Sequence, residues 1–328
     1  RAKAARDAAK LYDKLARLPG DPAAAERYLF EAVALDPSKA RTGKIAGRIR
    51  KLAGNRKSAD AAGWLLVRLR EADREGAGGG RYDALEAELA QKDAVLIKGP
   101  GHDMVGYLSL PRSWRRKAQW PVLVAVDGAG SNFLGAARRF AQARGSRNFI
   151  VLVPCSLSNT NALQPQKYPW YRKEVLEGGV PRIRFDLDGL AALLDAVRER
   201  FGGGAKIGIT GFSGGGNLCY AMTALHPDRI LFAAPACANF SGMGFSEAGR
   251  VEGGGPPVHI LTGEKDPHRR HTRGNPDIPG IEPQTDAAVQ ALEERGFTRV
   301  RRTMLPGVKH SACPRQVWEF CDEVRRGS

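Results

Sequence analysis

"KIGITGFSGGGNLCYAM", Lys206 to Met222, sets one serine among five glycines, directly after an apolar run and before a helix-like one. A turn of this composition can lift a serine hydroxyl into a cleft, or it can cradle a phosphate on backbone amides. The details argue against phosphate. No Lys-Ser/Thr pair follows the glycines, and the spacing is G-x-S-x-G-G rather than G-x-G-x-x-G. Ser213 stands at the centre of G-x-S-x-G. Gly211 and Gly215 then give clearance, because side chains there would collide as the following helix folds back against the strand. That pattern does not require Gly216.

On both sides of this turn, apolar strands alternate with amphipathic helices. The spacing predicts strands at "AVLIKG" and "MVGYLSLP", read as a hairpin, and at 122–126, 149–153, 206–210, 230–234, 258–262 and 300–305. Helices are expected at 135–144, 187–201, 214–226, 285–295 and 315–325. The fold class is therefore α/β, a mostly parallel sheet flanked by helices. In such sheets ligands bind beyond the carboxyl ends of the strands, so chemistry is sought just after each strand.

Four loops answer that search: "DGAGSN" after 122–126, "GFSGGG" after 206–210, "GEKDPH" after 258–262 and "PGVKHSACP" after 300–305. They present Ser213, Asp266 and His310 in that chain order. A serine hydroxyl is a poor nucleophile until an imidazole takes its proton, and a buried acid holds that imidazole in the useful tautomer. The Gly214 N–H, at the helix start, can face a developing oxyanion. His268 and His271 compete as bases and Asp277 as acid. His102, His226 and His259 read as structural.

From about Ala94 to Arg326 the chain resembles the α/β-hydrolase superfamily, carried by "GFSGGG", "TGEKDP", "GVKH" and "VDGAGSN". It looks closest to the esterases related to polyhydroxybutyrate depolymerases, feruloyl esterases and dienelactone-hydrolase-like enzymes. The resemblance implies an α/β-hydrolase fold and a serine esterase with Ser213, Asp266 and His310 as triad and no cofactor. It also implies an oxyanion hole from the N–H groups of Ala129 and Gly214. That group usually has histidine where this loop has Asp127, which leaves the loop's own support open. The same catalytic domain occurs in serine peptidases of the prolyl-oligopeptidase type, although 80 helical residues leave no room for a propeller. A non-catalytic protein tethered by a basic arm is the third alternative.

The irregular stretch from Cys155 to Phe185 lies over the expected cleft, and Trp170 and Tyr171 in it are candidate substrate-binding aromatics. Anchoring the loop to the core is the competing role for both. The expected partner is a small-molecule or polymeric ester. Net charge is +16, and residues 1–80 hold 18 Lys+Arg against 10 Asp+Glu. No zinc-finger spacing, recognition helix or aromatic-interleaved basic run accompanies that charge, so nucleic acid is not the expected partner. Five scattered cysteines form no disulfide framework, and "HSAC" lacks the second pair that zinc spacing would need, so no metal is expected. No apolar run approaches 18 residues, so no membrane span is expected. The resemblance leans toward a periplasmic or secreted protein.

Residues 1–75 read as four helical segments, with Ser38 and Ser58 as N-caps, and "GAGGG" (Gly76 to Gly80) as a linker. The expected organisation is a helical arm over 1–80 and a catalytic domain over 81–328.

Overall fold

The computed structural model describes residues 43–53, 59–72, 79–178, 181–272 and 275–327. The first two predicted helical segments, the caps Ser38 and Ser58, and linker residues 76–78 lie outside the described residues. The chain divides into two compact units, Arg1–Ile97 and Lys98–Ser328.

The first unit contains α1 (Gly43–Ala53), α2 (Ala59–Ala72) and α3 (Gly79–Lys92); β1 (Val95–Lys98) carries the chain into the second. Ile49, Leu65, Leu66, Leu69, Leu85 and Leu89 are buried in it, as the 3–4 spacing of apolar residues requires. Gly79 and Gly80, assigned to the linker by composition, instead begin α3. Arg70 binds Asp83 at 2.8 Å and the buried Glu86 at 2.9 Å, so α2 and α3 are joined by paired charges as well as by packing.

The second unit is built on a sheet of β2 (Val105–Ser109), β3 (Trp120–Val126), β4 (Ile150–Pro154), β5 (Gly203–Ser213), β6 (Ile230–Ala233), β7 (Ala236–Ala238), β8 (Val258–Gly263) and β11 (Val300–Leu305). Its order is β2-β4-β3-β5-β6-β8-β11, with β7 paired to β5 and β8. β2 is antiparallel to β4; the other pairs are parallel. Central strands such as Ile150–Pro154 are buried throughout, the mark of a sheet covered on both faces.

The flanking helices are α4 (Phe133–Arg144), the short α5 (Lys173–Glu177), α6 (Arg182–Phe201), α7 (Gly216–Leu225), α8 (Ile281–Glu294) and α9 (Pro314–Gly327). α4 packs on α9, and α6 on α7. Two small strands, β9 (His271–Thr272) and β10 (Asn275–Pro279), form a separate antiparallel pair ahead of α8. Every strand expected from 122 onward is present, with ends shifted by a few residues. Composition gave no sign of β7, whose three residues "ACA" are too short to show a period. No helix among the described residues is long and apolar enough to cross a membrane.

Candidate active site

β5 runs straight into the turn and ends on Ser213, whose φ is 50°. A non-glycine residue in this left-handed region costs about 1–3 kcal/mol, so the surrounding structure must impose it. The Gly215 N–H closes the turn on Phe212 O at 2.8 Å, and α7 begins at Gly216. A Cβ on Gly211 would stand 2.4 Å from Gly215 O, and one on Gly215 would stand 2.5 Å from Val126 O, as the clearance argument requires. Gly216 has its own reason. A Cβ there would lie 2.5 Å from Asn239 O and 2.6 Å from Ala238 Cβ, so the end of β7 passes directly over it. Gly216→Ala is expected to cost about 1–3 kcal/mol in denaturant unfolding by overpacking. An unchanged midpoint would show that the β7 approach is slack.

β7 also fixes the serine itself. The Asn239 N–H donates to Ser213 O at 2.8 Å, and Ser213 Oγ donates to Asn239 Oδ1 at 3.4 Å. Gln284 on α8 accepts from Asn239 Nδ2 at 3.1 Å and from the Phe240 N–H at 2.8 Å, which sets the amide's orientation.

Asp266 follows β8 and His310 follows β11, and these neighbouring parallel strands bring the two loops together. His310 Nδ1 lies 2.7 Å from Asp266 Oδ2. The Asp266 side chain is fully buried, and that of His310 is 21% exposed. Burial alone would lower the basicity of His310; the Asp266 carboxylate, with the nearby Cys237 sulfur, more than offsets this and raises it to about 9. Burial alone would raise Asp266, but His310 and the His268 N–H, 2.8 Å from Oδ1, hold it below the usual carboxylate range. The His310 ring packs 4.7 Å from Phe212, the residue before the serine, and 4.9 Å from His268. Among the described residues no hydrogen bond joins Ser213 to His310.

The "DGAGSN" loop lies against the serine: a Cβ on Gly128 would come within 2.8 Å of Ser213 Cβ. Among the described residues, neither the Ala129 nor the Gly214 N–H has an acceptor. Asp127 supports this loop from below. Its Oδ2 accepts from the Asn132 N–H at 2.8 Å, and Oδ1 faces Arg139 at 3.4 Å. Burial nevertheless raises its pKa. The loop is further clasped by Asn159, whose Nδ2 donates to Gly128 O at 2.9 Å. Tyr168 completes the clasp, its hydroxyl 2.9 Å from both Asn159 Oδ1 and Ser131 Oγ. Asp127→Ala would remove the carboxylate that accepts from the Asn132 N–H, with an expected loss of about 1 kcal/mol in thermal unfolding. A variant as stable as the parent would remove Asp127 from this supporting role.

The stretch from Cys155 to Phe185 is pinned by Asp186, which is fully buried and accepts from the N–H groups of Leu157 (2.8 Å) and Ser158 (2.7 Å). Burial outweighs these bonds and raises Asp186 to about 7. Tyr171 is 7% exposed, donates to Cys155 O at 2.5 Å and accepts from the Val105 N–H at 3.4 Å, so its polar tip is engaged inside the fold. Trp170 is half-buried, edge-on to Tyr107 at 5.9 Å. Asn159, Tyr168, Asn239 and Gln284 are not legible in the sequence, since nothing in their spacing separates them from ordinary polar residues.

Of the other candidates, His268 borders the pair through the contacts above, whereas His271 and Asp277 lie exposed on β9 and β10. His259 is tied to Thr303 Oγ1 at 2.8 Å, and His102 Nδ1 accepts from the Met104 N–H at 3.0 Å.

Among solved structures the chain is similar to a thermostable esterase, with 18% identity and a TM-score of 0.50, over 73% of this chain and 64% of that one. The matched part thus spans less than two thirds of that esterase. It is also similar to poly(aspartic acid) hydrolase-1 from Sphingomonas sp. KT-1, with 18% identity and a TM-score of 0.51, over 70% of this chain and 97% of that one. The fold is that of the α/β-hydrolases. No protein-family model matches the chain, and no curated protein sequence does. Within the α/β-hydrolase fold, the departure at Asp127 has a local physical account: its carboxylate caps the turn that the loop makes before α4.

Proposed function

We propose that the chain is a serine carboxylic ester hydrolase working by two-step acyl transfer on a small-molecule or polymeric ester. The observation that carries this reading is the His310–Asp266 pair at 2.7 Å, held beside a serine on a left-handed turn. In the first step Ser213 Oγ leaves Asn239, turns toward the free nitrogen of His310 and attacks the ester carbonyl. His310 takes the hydroxyl proton and passes it to the departing alcohol. Asp266 keeps Nδ1 protonated and stabilises the imidazolium. The N–H groups of Ala129 and Gly214 receive the oxyanion, and the Asp127 and Asn159 contacts keep the first of them in place. A water activated by His310 then releases the acid. Trp170 forms an apolar wall for the acyl or alcohol group, supported from beneath by the anchored Tyr171.

The test is p-nitrophenyl acetate and butyrate with peptide mapping of the acylated protein. The expected result is steady release of p-nitrophenol, with the acyl group found on Ser213 when turnover is stopped early. Release no faster than in buffer for both esters overturns the reading for these acyl groups, and acylation at another residue overturns the choice of nucleophile.

A further inference from the structure

The proposed reaction has no use for Cys237, yet its thiol is built into the site. Cys237 is fully buried at the middle of β7, next to Ala238, which pairs with Ser213. Its Sγ, a carboxylate oxygen of Asp266 and a ring nitrogen of His310 all lie within 4.8 Å of one another. A second cysteine, Cys313, stands three residues beyond His310 and is also buried. Both cysteines have left-handed backbones, with φ of 42° and 47°. A strained non-glycine residue that brings its sulfur to an acid–base pair calls for a functional account.

We propose that Cys237, Asp266 and His310 form an inhibitory site for a thiophilic divalent cation of the zinc type. Thiolate, imidazole and carboxylate are the ligands zinc takes, at about 2.0–2.3 Å each, which sets ligand atoms roughly 3.4–3.8 Å apart. Displacements of about an ångström bring the three groups to that spacing. Binding breaks the S–H bond of Cys237 and one N–H bond of the charged His310 ring, forms the metal–sulfur and metal–nitrogen bonds and releases both protons to solvent; no electrons are transferred. The cation thereby takes the imidazole and carboxylate that the proposed hydrolysis needs. His310 comes from "HSAC", which has no partner pair in the sequence; the fold supplies the other two ligands from β7 and from the loop after β8.

The inference rests on the esterase reading for its inhibitory half only, so binding and inhibition are measured separately. Zinc is titrated calorimetrically into the metal-free chain, and cobalt(II) replaces it to report a thiolate charge-transfer band. The wild type is expected to bind one ion per chain, show that band, and lose p-nitrophenyl butyrate hydrolysis at about micromolar free zinc, with recovery on adding EDTA. Cys237→Ser and Cys237→Ala are expected to lose the cobalt band and, each measured against its own zinc-free rate, to need at least about tenfold more zinc for half inhibition. Circular dichroism establishes that each variant is folded, and two variants guard against one failing. The site is overturned if wild type binds no ion, or if the band persists in both folded variants. The inhibitory role is overturned if zinc binds with full retention of activity, or inhibits the variants equally. Absence of any esterase activity would sink the proposed function while leaving the binding result decisive for the site.

Discussion

Ser213→Ala is expected to lower kcat/KM for p-nitrophenyl butyrate by on the order of 10⁴-fold or more, with little change in thermal stability. The size follows from the division of labour in the proposed mechanism. With the hydroxyl gone no acyl-enzyme forms, and His310, Asp266 and the two oxyanion N–H groups assist only direct attack by water. Stability should hold because Ser213 Oγ makes a single long hydrogen bond, 3.4 Å to Asn239. Alanine also suffers the left-handed backbone about as serine does. Parallel measurement of activity and melting temperature separates the outcomes. A variant that retains activity within tenfold would remove Ser213 as the nucleophile.

Asp266→Asn is expected to be nearly as damaging, on the order of 10⁴-fold in kcat, through the wrong imidazole tautomer rather than a lost group. It also carries a pH signature. His310, raised to about 9 after burial opposes and Asp266 and Cys237 favour its charge, must be neutral to act as base. The wild-type kcat/KM should therefore climb with pH through a midpoint near 9. Without the carboxylate the charged ring loses its main support, so the midpoint of the variant moves down. Stability changes with the opposite sense. The His310 contribution is complete below the ordinary histidine value of 6.5 and fades as pH rises through about 9. The Asp266 contribution, from a depressed pKa, is complete above its ordinary value of 3.8 and fades as pH falls through the lower folded value. Wild type and variant should thus differ most in stability between about pH 4 and 6.5, and converge toward pH 9. Identical pH–rate midpoints in the two proteins would break the proposed coupling.

The sheet was legible because its signals are local. Runs such as Ile150–Pro154 are wholly apolar, and the turns after them carry residues that chemistry restricts. The same locality exposed Ser213, Asp266 and His310, each the notable residue of a short loop. What stayed hidden depends on contacts between distant segments. Asn159 and Tyr168 matter because their stretch folds over the "DGAGSN" loop. Gly216 matters because β7, unreadable at three residues, crosses it. Arg144 is the extreme case. It looks like an ordinary basic residue at a helix end, yet it is 7% exposed and donates to the carbonyls of Ser109, Leu110 and Phe149. Three carbonyls spread across the fold leave no periodic trace.

The backbone at Ser213, with φ of 50°, also bears on how such a chain can change over time. The conformation that projects the hydroxyl is one glycine adopts freely and serine resists. Selection for thermal endurance alone would therefore press toward losing the side chain, whereas selection for turnover presses to keep it. On the proposed mechanism the serine is retained only while its chemistry is under demand, which makes this position an early casualty wherever the chain is kept for its scaffold alone.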